Sequence, residues 1–397
     1  MAEWHGAMES VGARVTWSKT FRGRSVLVTG HTGFKGSWLA LWLDHLAARV
    51  DGYALPPPTN PSNFVTSEIR NLMAHETTRD VRDLAQFQAA VKACQPDVIF
   101  HLAAQALVQR SFADPRTTLE INIMGTVNVL ETVRNLGRPC VVIVVTSDKC
   151  YENSNSCAPH REGDVLGGSD PYSASKACTE IVTQAYRKTW FPPEEILHHG
   201  VRVASVRAGN AIGGGDWASD RIVPDTVLAM VSNKRVTLRN PDSFRPWQHV
   251  LDPLAGYLML AGRLLTNAEP ELCSAWNFGP DADGGATVRE LVEELARTWT
   301  GVRCENSNDT ERLPEQRELR LSNDRARIEL GWRPRWNFQE SVKRTADWYK
   351  SFYADPSRST RDLCLQDILE YESANSNPWD RSNSGFQEAT SSSPGRR

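Results

Sequence analysis

The chain has 397 residues, and its 45 lysines and arginines nearly balance 48 aspartates and glutamates, for a formal net charge of −3. This balance lacks the basic excess that draws a protein to nucleic acid or to an anionic membrane surface, so we expect neither partner. Hydrophobic residues make up 40% and charged residues 23% of the chain, which is typical of a globular protein and excludes a largely disordered one.

Apolar, strand-like runs alternate with helical stretches through the first half of the chain. The predicted strands are Ser25–Thr29, Arg49–Leu55, Pro96–Ala103, Cys140–Ser147 and Val201–Arg207. The predicted helices between them are Trp38–Leu46, Leu84–Ala93, Thr117–Leu136 and Ser173–Trp190. This alternation favours an α/β fold with a doubly wound parallel sheet that helices cover on both faces.

The second half of the chain has a different pattern. After about residue 208, glycines and prolines separate shorter predicted elements. We predict a Rossmann-type domain over residues 20–207 and a smaller C-terminal α/β lobe over residues 208–355, some segments of which return to the first domain. Residues 372–397 are rich in serine, asparagine and proline, and we predict that this tail is disordered.

Membrane insertion, export and metal binding lack a sequence signal. The apolar run Cys140–Val145 is far shorter than the roughly 20 residues of a transmembrane helix, and the charged first twenty residues lack the apolar core of a secretory signal. The eight cysteines are dispersed and match no zinc-ligand spacing. We therefore expect a cytoplasmic protein with reduced, structural cysteines and no metal site.

The turn after the first predicted strand is rich in glycine and reads Thr29-Gly30-His31-Thr32-Gly33-Phe34-Lys35-Gly36. Glycines at this spacing permit a tight turn, close approach of the backbone to a pyrophosphate and close packing of helix on sheet. The helix N-terminus that follows attracts negative charge. We predict a dinucleotide site at residues 30–36, in which Lys35 either adds charge for the phosphates or is a solvated loop lysine.

Three later strand ends are relevant to the cofactor. The second strand ends Tyr53-Ala54-Leu55-Pro56, without the acidic residue that selects NAD or the arginine that selects NADP, and the missing arginine favours NAD. Asp80 and Val81 are candidates for contact with adenine. Leu102, Ala103 and Ala104 are candidates to lie along the cofactor, and all five residues have an ordinary strand-end role as the alternative.

Tyr172 and Lys176 lie four residues apart near the start of a predicted helix, so they share one face of it. A tyrosine titrates near 10, and acting as a base near pH 7 requires its pKa to fall by about three units. A neighbouring ammonium and an oxidised nicotinamide are both positive charges that favour the phenolate. The pair therefore suits removal of a hydroxyl proton coupled to hydride transfer, with both residues beside the cofactor.

Ser147, Asp148 and Lys149 come at the carboxyl end of a predicted strand, where open α/β sheets bind ligands. Ser147 suits a hydrogen bond to a hydroxyl that is being oxidised, while Asp148 and Lys149 add an acid and a possible base. A surface Asp-Lys pair is the alternative. Asn122 interrupts a predicted helix and either holds the lysine or a water, or bends or caps that helix.

These strings resemble the extended short-chain dehydrogenase/reductase family, the NAD-dependent epimerases and dehydratases. Within it, four stretches are similar to the branch that dehydrates CDP-glucose: His31–Trp38, Thr146–Asn153, Gly209–Ala218 and Arg245–Val250. The likeness covers about residues 21–353. Lys149 is the distinguishing residue, because the branches that act on dTDP-glucose and GDP-mannose have a glutamate at or near this position.

The resemblance implies a hydro-lyase that uses NAD to convert CDP-glucose to its 4-keto-6-deoxy form, in deoxysugar synthesis of the lipopolysaccharide type. Tyr172 would remove the 4-hydroxyl proton, while Lys176 lowers the tyrosine pKa and Ser147 orients the hydroxyl. An uncharged Lys149 would take the proton from carbon 5, and Asp148 would protonate the departing 6-hydroxyl. Asp148 and Lys149 can also titrate as a coupled pair, which leaves their assignment as acid and base open.

The resemblance also implies substrate contacts at Asn122, Asn210, Arg221 and Arg245, and a homodimer or homotetramer. Arginine forks suit a diphosphate. Two stretches depart from the family: Leu313-Pro314-Glu315-Gln316 replaces a usual His-Glu-Ala string, and Ile121 replaces a threonine. The alternatives are a dehydratase for another nucleotide sugar, a 4-epimerase, which needs no elimination pair, and a cofactor-binding regulator without catalysis.

Overall fold

The computed structural model describes residues 17–152, 158–281, 284–299, 303–306, 317–355 and 357–373. The strands are β1 Ser25–Thr29, β2 Arg49–Ala54, β3 His75–Thr78, β4 Val98–His101, β5 Cys140–Val145, β6 Val201–Ala208, β7 Ala211–Ile212, β8 Arg235–Leu238, β9 Phe244–Arg245, β10 Gln248–His249, β11 Ala275–Phe278, β12 Ala286–Thr287 and β13 Arg303–Asn306. The α-helices are α1 Trp17–Phe21, α2 Phe34–His45, α3 Asn63–Thr66, α4 Leu84–Cys94, α5 Val108–Ala113, α6 Pro115–Leu119, α7 Gly125–Arg134, α8 Pro171–Thr189, α9 Ile196–His199, α10 Ile222–Val231, α11 Leu251–Thr266, α12 Val288–Thr298, α13 Phe338–Ala354 and α14 Thr360–Ser373.

The central sheet confirms the predicted doubly wound parallel architecture. Seven of the described strands pair in the order β11-β6-β5-β4-β1-β2-β3, and every pairing is parallel. Val26 of β1 lies opposite Val50 of β2 on one side and Val98 of β4 on the other. The strand order reverses at β1 and β4, and the crevice beyond their carboxyl ends is where such sheets bind nucleotides.

The central strands β1, β4 and β5 are largely apolar on both faces because each face packs against helices. Val26 and Val28 belong to a core cluster that includes Trp38 of α2, whereas Leu27 points into a second cluster that includes Phe87 of α4. Consecutive side chains of a strand alternate between faces, which is why one short strand contributes to both cores. No helix in the described part of the chain combines the length and apolar character needed to cross a membrane.

The predicted helix over Thr117–Leu136 is present as a continuous helical segment from Pro115 to Arg134, but a π-helical turn interrupts its α-helical geometry. Helices α6 and α7 flank a π-helical turn, Glu120–Met124, whose centre is Asn122. The Asn122 carbonyl accepts hydrogen bonds from the hydroxyls of Thr126 and Thr179, at 2.8 and 3.0 Å. These contacts are an identifiable cause of the π bulge, since side chains have entered the backbone ladder. The alternative reading of Asn122, a bend in the helix, describes its position here.

Other predicted boundaries shift by a few residues. Helix α2 begins at Phe34, four residues before the prediction, because Gly33 already serves as its N-cap. Strand β4 is confined to Val98–His101 and β5 ends at Val145, so Thr146 and the residues after it form a turn beyond the strand. Ser147 therefore lies in the loop that follows β5, at the carboxyl edge of the sheet, and not in the strand.

The second half of the chain contributes to the central sheet. Strand β11 pairs with β6, and buried residues of α11 belong to the same core cluster as Val26. The smaller pairings β10 with β7, β12 with β9 and β13 with β8 lie outside the central sheet. The predicted division at residue 207 into two domains stays a prediction.

The C-terminal helix α14 runs to Ser373, two residues into the predicted tail. It is held there by specific contacts: the Tyr371 hydroxyl donates to Asp252 at 2.8 Å, and Trp42 Nε1 donates to the Glu372 carboxylate at 2.7 Å. The predicted disorder is therefore wrong for Glu372 and Ser373. The remaining residues of the tail, 374–397, lie outside the described part of the chain.

Candidate active site

The glycine turn lies between β1 and α2, at the switch point of the sheet. Gly30 has a φ of +74°, and a Cβ there would lie 2.7 Å from the backbone nitrogen of Ala103. A Cβ at Gly36 would lie 2.1 Å from the carbonyl oxygen of Gly30. These two glycines let the turn close on itself and on the end of β4.

The middle glycine of the turn, Gly33, has more space around it. It is the N-cap of α2, and the nearest atom to an added Cβ is the Gly30 oxygen at 3.4 Å. Among the described residues, no side chain caps the first backbone N–H groups of α2, which suits a phosphate. The local structure fits the pyrophosphate of a dinucleotide.

The side chains of His31 and Thr32 pack the glycine turn against the protein. Thr32 Oγ1 donates to the Leu55 carbonyl at 2.9 Å. The His31 ring is fully buried, so close to β2 that a Cβ at Gly52 would lie 2.6 Å from it. Burial lowers the pKa of His31 to about 4, against the opposing charge of Glu76. Both residues contact protein here, and their predicted contact with a cofactor stays a prediction.

Asp80 and Val81 lie at the far end of the crevice, after β3. The Asp80 carboxylate accepts a hydrogen bond from Arg82 at 2.7 Å, and this contact lowers the pKa of Asp80. Val81 is buried beneath α7, where a Cβ at Gly125 would meet it at 2.7 Å. An open depression of about 500 Å³ is lined by Asp80, Arg82, Asp83, Glu120 and Met124. Its position beside Asp80 suits an adenine ring.

Residues 102–104 follow β4 and are half-buried. The Ala103 N–H donates to Thr29 Oγ1 at 3.1 Å, and Thr29 Oγ1 is also 2.8 Å from His101 Nδ1. Since Gly30 packs directly on Ala103, this segment forms a wall of the same crevice as the glycine turn.

Ser147, Asp148 and Lys149 form a tight turn beyond β5. Ser147 caps the 3-10 turn Asp148–Cys150: its Oγ accepts from the Lys149 N–H at 3.2 Å and donates to Asp148 Oδ1 at 2.9 Å. Asp148 is 3% exposed, and its Oδ2 has no hydrogen-bond partner in the described part of the chain. Burial raises the pKa of Asp148, against the charges of Lys149, Arg245 and Lys35, so this carboxyl is suited to carry a proton. Lys149 is half-buried.

Tyr172 and Lys176 share the buried face of α8, whose N-cap is Asp170. The Lys176 ammonium donates to the Val145 carbonyl at 3.2 Å, which places it behind the Ser147–Lys149 turn. Burial and the charge of Lys35 lower the pKa of Lys176 to about 8. The structure thus brings both residues to the edge of the sheet that carries Ser147.

The pKa of Tyr172 in the chain alone is not lowered. Burial raises it to about 12, and the negative charge of Asp148 acts in the same direction, whereas hydrogen bonding with Ser147 and the charge of Arg221 act against them. In the chain alone, desolvation of the phenolate outweighs the surrounding cations. The expected lowering of the pKa included the charge of an oxidised nicotinamide, so for the cofactor-bound enzyme it stays a prediction.

The pKa of Lys35 depends on two of the charged residues that also affect the pKa of Tyr172, namely Arg221 and Asp148. Burial lowers its pKa to about 8, the charge of Arg221 acts in the same direction, and Asp148 acts against both. Because the charges of Arg221 and Asp148 both affect its pKa, Lys35 is not a freely solvated loop residue. Its proposed contact with phosphate stays a prediction.

The four predicted substrate residues are dispersed around this centre. Arg221 donates to Asp216 at 2.8 Å, and Arg245 is 2% exposed in β9 and lowers the pKa of Asp148. Asn210 is half-buried, and its carbonyl accepts from the Gln248 N–H at 3.1 Å. Asn122 uses its amide on the Gln105 carbonyl and the Ser175 hydroxyl, so its side chain is engaged within the protein. Leu313–Gln316 lies outside the described residues.

Two residues near the site, Asp216 and Glu180, are not among those predicted from the sequence. Asp216, which orients Arg221, follows a glycine run and was not singled out. Glu180, buried behind Lys176, repeats the four-residue spacing of Tyr172 and Lys176 along α8, and that spacing was the available signal. Among the described residues, no group of three or more His, Cys, Asp or Glu side chains is arranged to hold a metal.

A doubly wound parallel sheet, a glycine turn at its switch point and a tyrosine–lysine helix beside a Ser-Asp-Lys turn define an extended short-chain dehydrogenase/reductase. A family model described as GDP-mannose 4,6 dehydratase matches residues 27–345, and the chain belongs to this family. The resemblance found in the sequence is thereby confirmed, and the 4,6-dehydratases to which the chain is homologous are hydro-lyases.

The relatives agree with this assignment. The chain is 44% identical over 333 residues to the CDP-glucose 4,6-dehydratase of Salmonella typhimurium, which covers 84% of this chain and 92% of the relative. The crystal structure of dTDP-glucose 4,6-dehydratase from Streptomyces venezuelae, with NAD bound, has a TM-score of 0.69 at 24% identity and covers 83% of this chain and 98% of that chain. UDP-glucose 4-epimerase from Thermotoga maritima has a TM-score of 0.68 at 21% identity over 83% and 99% of the two chains.

Proposed function

We propose that this protein binds NAD and converts CDP-D-glucose to CDP-4-dehydro-6-deoxy-D-glucose and water. The observation that carries the proposal is the juxtaposition of two proton-transfer sets at one sheet edge: Tyr172 with Ser147, and Asp148 with Lys149. The first set suits oxidation at carbon 4. The second supplies the acid and base that elimination needs and that a 4-epimerase does not.

NAD fits the glycine turn, because Gly33 and the uncapped start of α2 leave room and N–H groups for a pyrophosphate. When bound, NAD would supply a positively charged nicotinamide ring that favours the tyrosinate, and it would take the hydride from carbon 4 and return it to carbon 6. Gly30 and Gly36 keep the turn compact, and residues 102–104 line the crevice. Asp80 and Val81 lie at the end of that crevice where adenine would be held.

The first step belongs to Tyr172. Its phenolate takes the proton of the sugar's 4-hydroxyl, and Ser147 orients that hydroxyl by a hydrogen bond. The phenol has a pKa of about 12 in the chain alone, so additional positive charge is needed for it to act near neutral pH. That pKa already includes the charges of Lys176 and Lys35, the two buried lysines near the turn, so the additional positive charge would come from bound NAD.

The second step belongs to Asp148 and Lys149. A ketone at carbon 4 acidifies the proton on carbon 5, which Lys149 removes as the base. Asp148 donates a proton to the departing 6-hydroxyl, so the C6–O bond breaks and water leaves. Two properties of Asp148 support its role as the acid: its raised pKa, and an Oδ2 atom with no hydrogen-bond partner among the described residues. Arg221 and Arg245 are the proposed ligands of the diphosphate, with Asn210 beside them.

The test is incubation of the enzyme with CDP-, dTDP-, GDP- and UDP-glucose, followed by mass spectrometry. The proposal predicts loss of one water from CDP-glucose without net production of NADH. A product of unchanged mass with an inverted 4-hydroxyl would indicate an epimerase. Loss of water from dTDP-, GDP- or UDP-glucose but not from CDP-glucose would show that the enzyme recognises a base other than cytosine. A cytoplasmic location, a homodimer or homotetramer, and a place in lipopolysaccharide-type deoxysugar synthesis stay predictions.

A further inference from the structure

A buried ion pair lies behind the proposed catalytic turn. Arg207 Nη2 donates to Glu180 Oε2 at 2.8 Å, and each side chain is 3% exposed. Glu180 lies on α8, four residues after Lys176 and eight after Tyr172, hence on the same face of that helix. Arg207 lies near the carboxyl end of β6, the strand next to β5.

Glu180 contacts the residue that precedes Ser147. Thr146 Oγ1 donates to Glu180 Oε1, and Ser205 Oγ donates to Oε2 at 2.7 Å. The Thr146 N–H also donates to the Val206 carbonyl at 2.9 Å. One carboxylate therefore ties helix α8 to the end of β5 and to β6.

Arg207 contacts the segment that follows Lys149. Its Nη1 donates to the Tyr151 hydroxyl at 2.7 Å and to the Glu162 carbonyl at 3.1 Å. The guanidinium also lies 4.8 Å from the centre of the Tyr151 ring, and the Tyr151 hydroxyl donates to Asn277 at 2.7 Å. The two partners of the ion pair thus hold opposite flanks of the Ser147–Lys149 turn.

The pair is ionised: both Glu180 oxygens and both terminal Arg207 nitrogens are hydrogen-bonded, whereas Arg207 Nε is buried without a hydrogen-bond partner in the described part of the chain. Burial alone would raise the pKa of Glu180, but the charge of Arg207 and the hydrogen bonds from Arg207, Thr146 and Ser205 outweigh it and lower that pKa. A buried ion pair contributes little net stability, because desolvation offsets the attraction, and apolar residues of similar volume often replace such a pair without loss. The directional hydrogen bonds of this ion pair are better explained if they position the residues that they contact.

We propose that Glu180 and Arg207 form a positioning bracket, which fixes the Ser147–Lys149 turn relative to Tyr172 and Lys176 on α8. The bracket touches neither substrate nor cofactor. Its effect on turnover rests on the proposed function, whereas its effect on the order of the turn does not. The bracket would matter to the reaction because displacement of reacting groups by about 1 Å can cost about 100-fold in rate.

The first test uses Thr146, which contributes one contact to the bracket. Thr146→Val keeps the side-chain shape and removes the hydroxyl, and Thr146→Ser keeps the hydroxyl. We expect Thr146→Val to lower kcat on CDP-glucose about tenfold with KM unchanged, and Thr146→Ser to recover kcat to within about twofold. Equal kcat in Thr146→Val and wild type, with unaltered hydrogen exchange of residues 146–152, would overturn the proposal.

The second test replaces the pair by Glu180→Leu with Arg207→Met. We expect the double variant to melt near the wild-type temperature, yet to lose about 100-fold in kcat and to exchange the amides of residues 146–152 at least about tenfold faster. The matched control is Arg344→Met with Asp367→Leu, an ion pair between α13 and α14, which should leave kcat and that exchange unchanged. Wild-type kcat and exchange in the Glu180/Arg207 variant would refute the bracket.

These readouts separate the two proposals. If wild-type enzyme shows no turnover of CDP-glucose, the proposed function fails, and hydrogen exchange of the turn still decides for or against the bracket. If the double variant does not fold, the Thr146 variants decide.

Discussion

The glycine turn makes a prediction that separates cofactor binding from folding. Gly36→Ala places a Cβ 2.1 Å from the Gly30 carbonyl oxygen, so the start of α2 must move away from the turn by about 1 Å. Such overpacking costs up to about 3 kcal/mol, and the better helix propensity of alanine returns about 1 kcal/mol. We expect a net loss of about 2 kcal/mol in the free energy of unfolding.

Gly33→Ala is the matched variant. Its Cβ would lie 3.4 Å from the nearest atom, in a backbone conformation with φ of −81° that alanine adopts freely, so we expect a stability change below about 0.5 kcal/mol. The same Cβ would stand where the pyrophosphate approaches the backbone. We therefore expect NAD affinity to fall at least about tenfold, equivalent to about 1.4 kcal/mol.

Chemical denaturation without NAD measures the first quantity, and calorimetric titration with NAD measures the second. A Gly36→Ala protein as stable as wild type would refute the packing argument. Undiminished NAD affinity in Gly33→Ala would refute the placement of the pyrophosphate at this turn.

Three further predictions concern the reaction and the fold. Tyr172→Phe should bind NAD normally but lose at least about 1,000-fold in turnover of CDP-glucose, and retention of a tenth of wild-type kcat would remove Tyr172 from the role of base. Lys149→Ala should still oxidise the sugar, seen as NADH absorbance in a single turnover, yet stall before water is lost; unchanged turnover would exclude Lys149 as the base. Burial raises the pKa of Asp252 to about 7, so the native state keeps a proton that the unfolded chain releases near pH 4, and stability should fall as pH rises between these values. Asp252→Asn should flatten this slope in melting curves from pH 5 to pH 8, and a slope identical to wild type would contradict the assignment.

Local patterns were enough to predict the scaffold of the site. The bounds of β1 agree with the structure, because a short apolar run followed by a glycine turn is a local signal. Tyr172, Lys176 and Ser147 were predicted from one helical spacing and one strand end, and parallel topology brings those segments to the same edge. The family to which the chain belongs agrees with the resemblance drawn from these motifs.

Features that depend on distant partners were not predictable in the same way. The π turn at Asn122 arises from hydroxyls of Thr126 and Thr179, the latter on another helix. The raised pKa of Tyr172 follows from the depth of its burial, which spacing does not reveal. Glu180 meets Arg207 only because α8 packs across β6.

The most direct test of the central claim follows the hydrogen on carbon 4 of the sugar. CDP-glucose labelled with deuterium at carbon 4 is incubated with the enzyme, and the product is analysed by mass spectrometry and NMR. Oxidation, elimination and reduction within one active site predict a product that has lost one water and carries the deuterium on carbon 6. Deuterium that remains on carbon 4 of an intact hexose, or that is lost to solvent, would contradict the account.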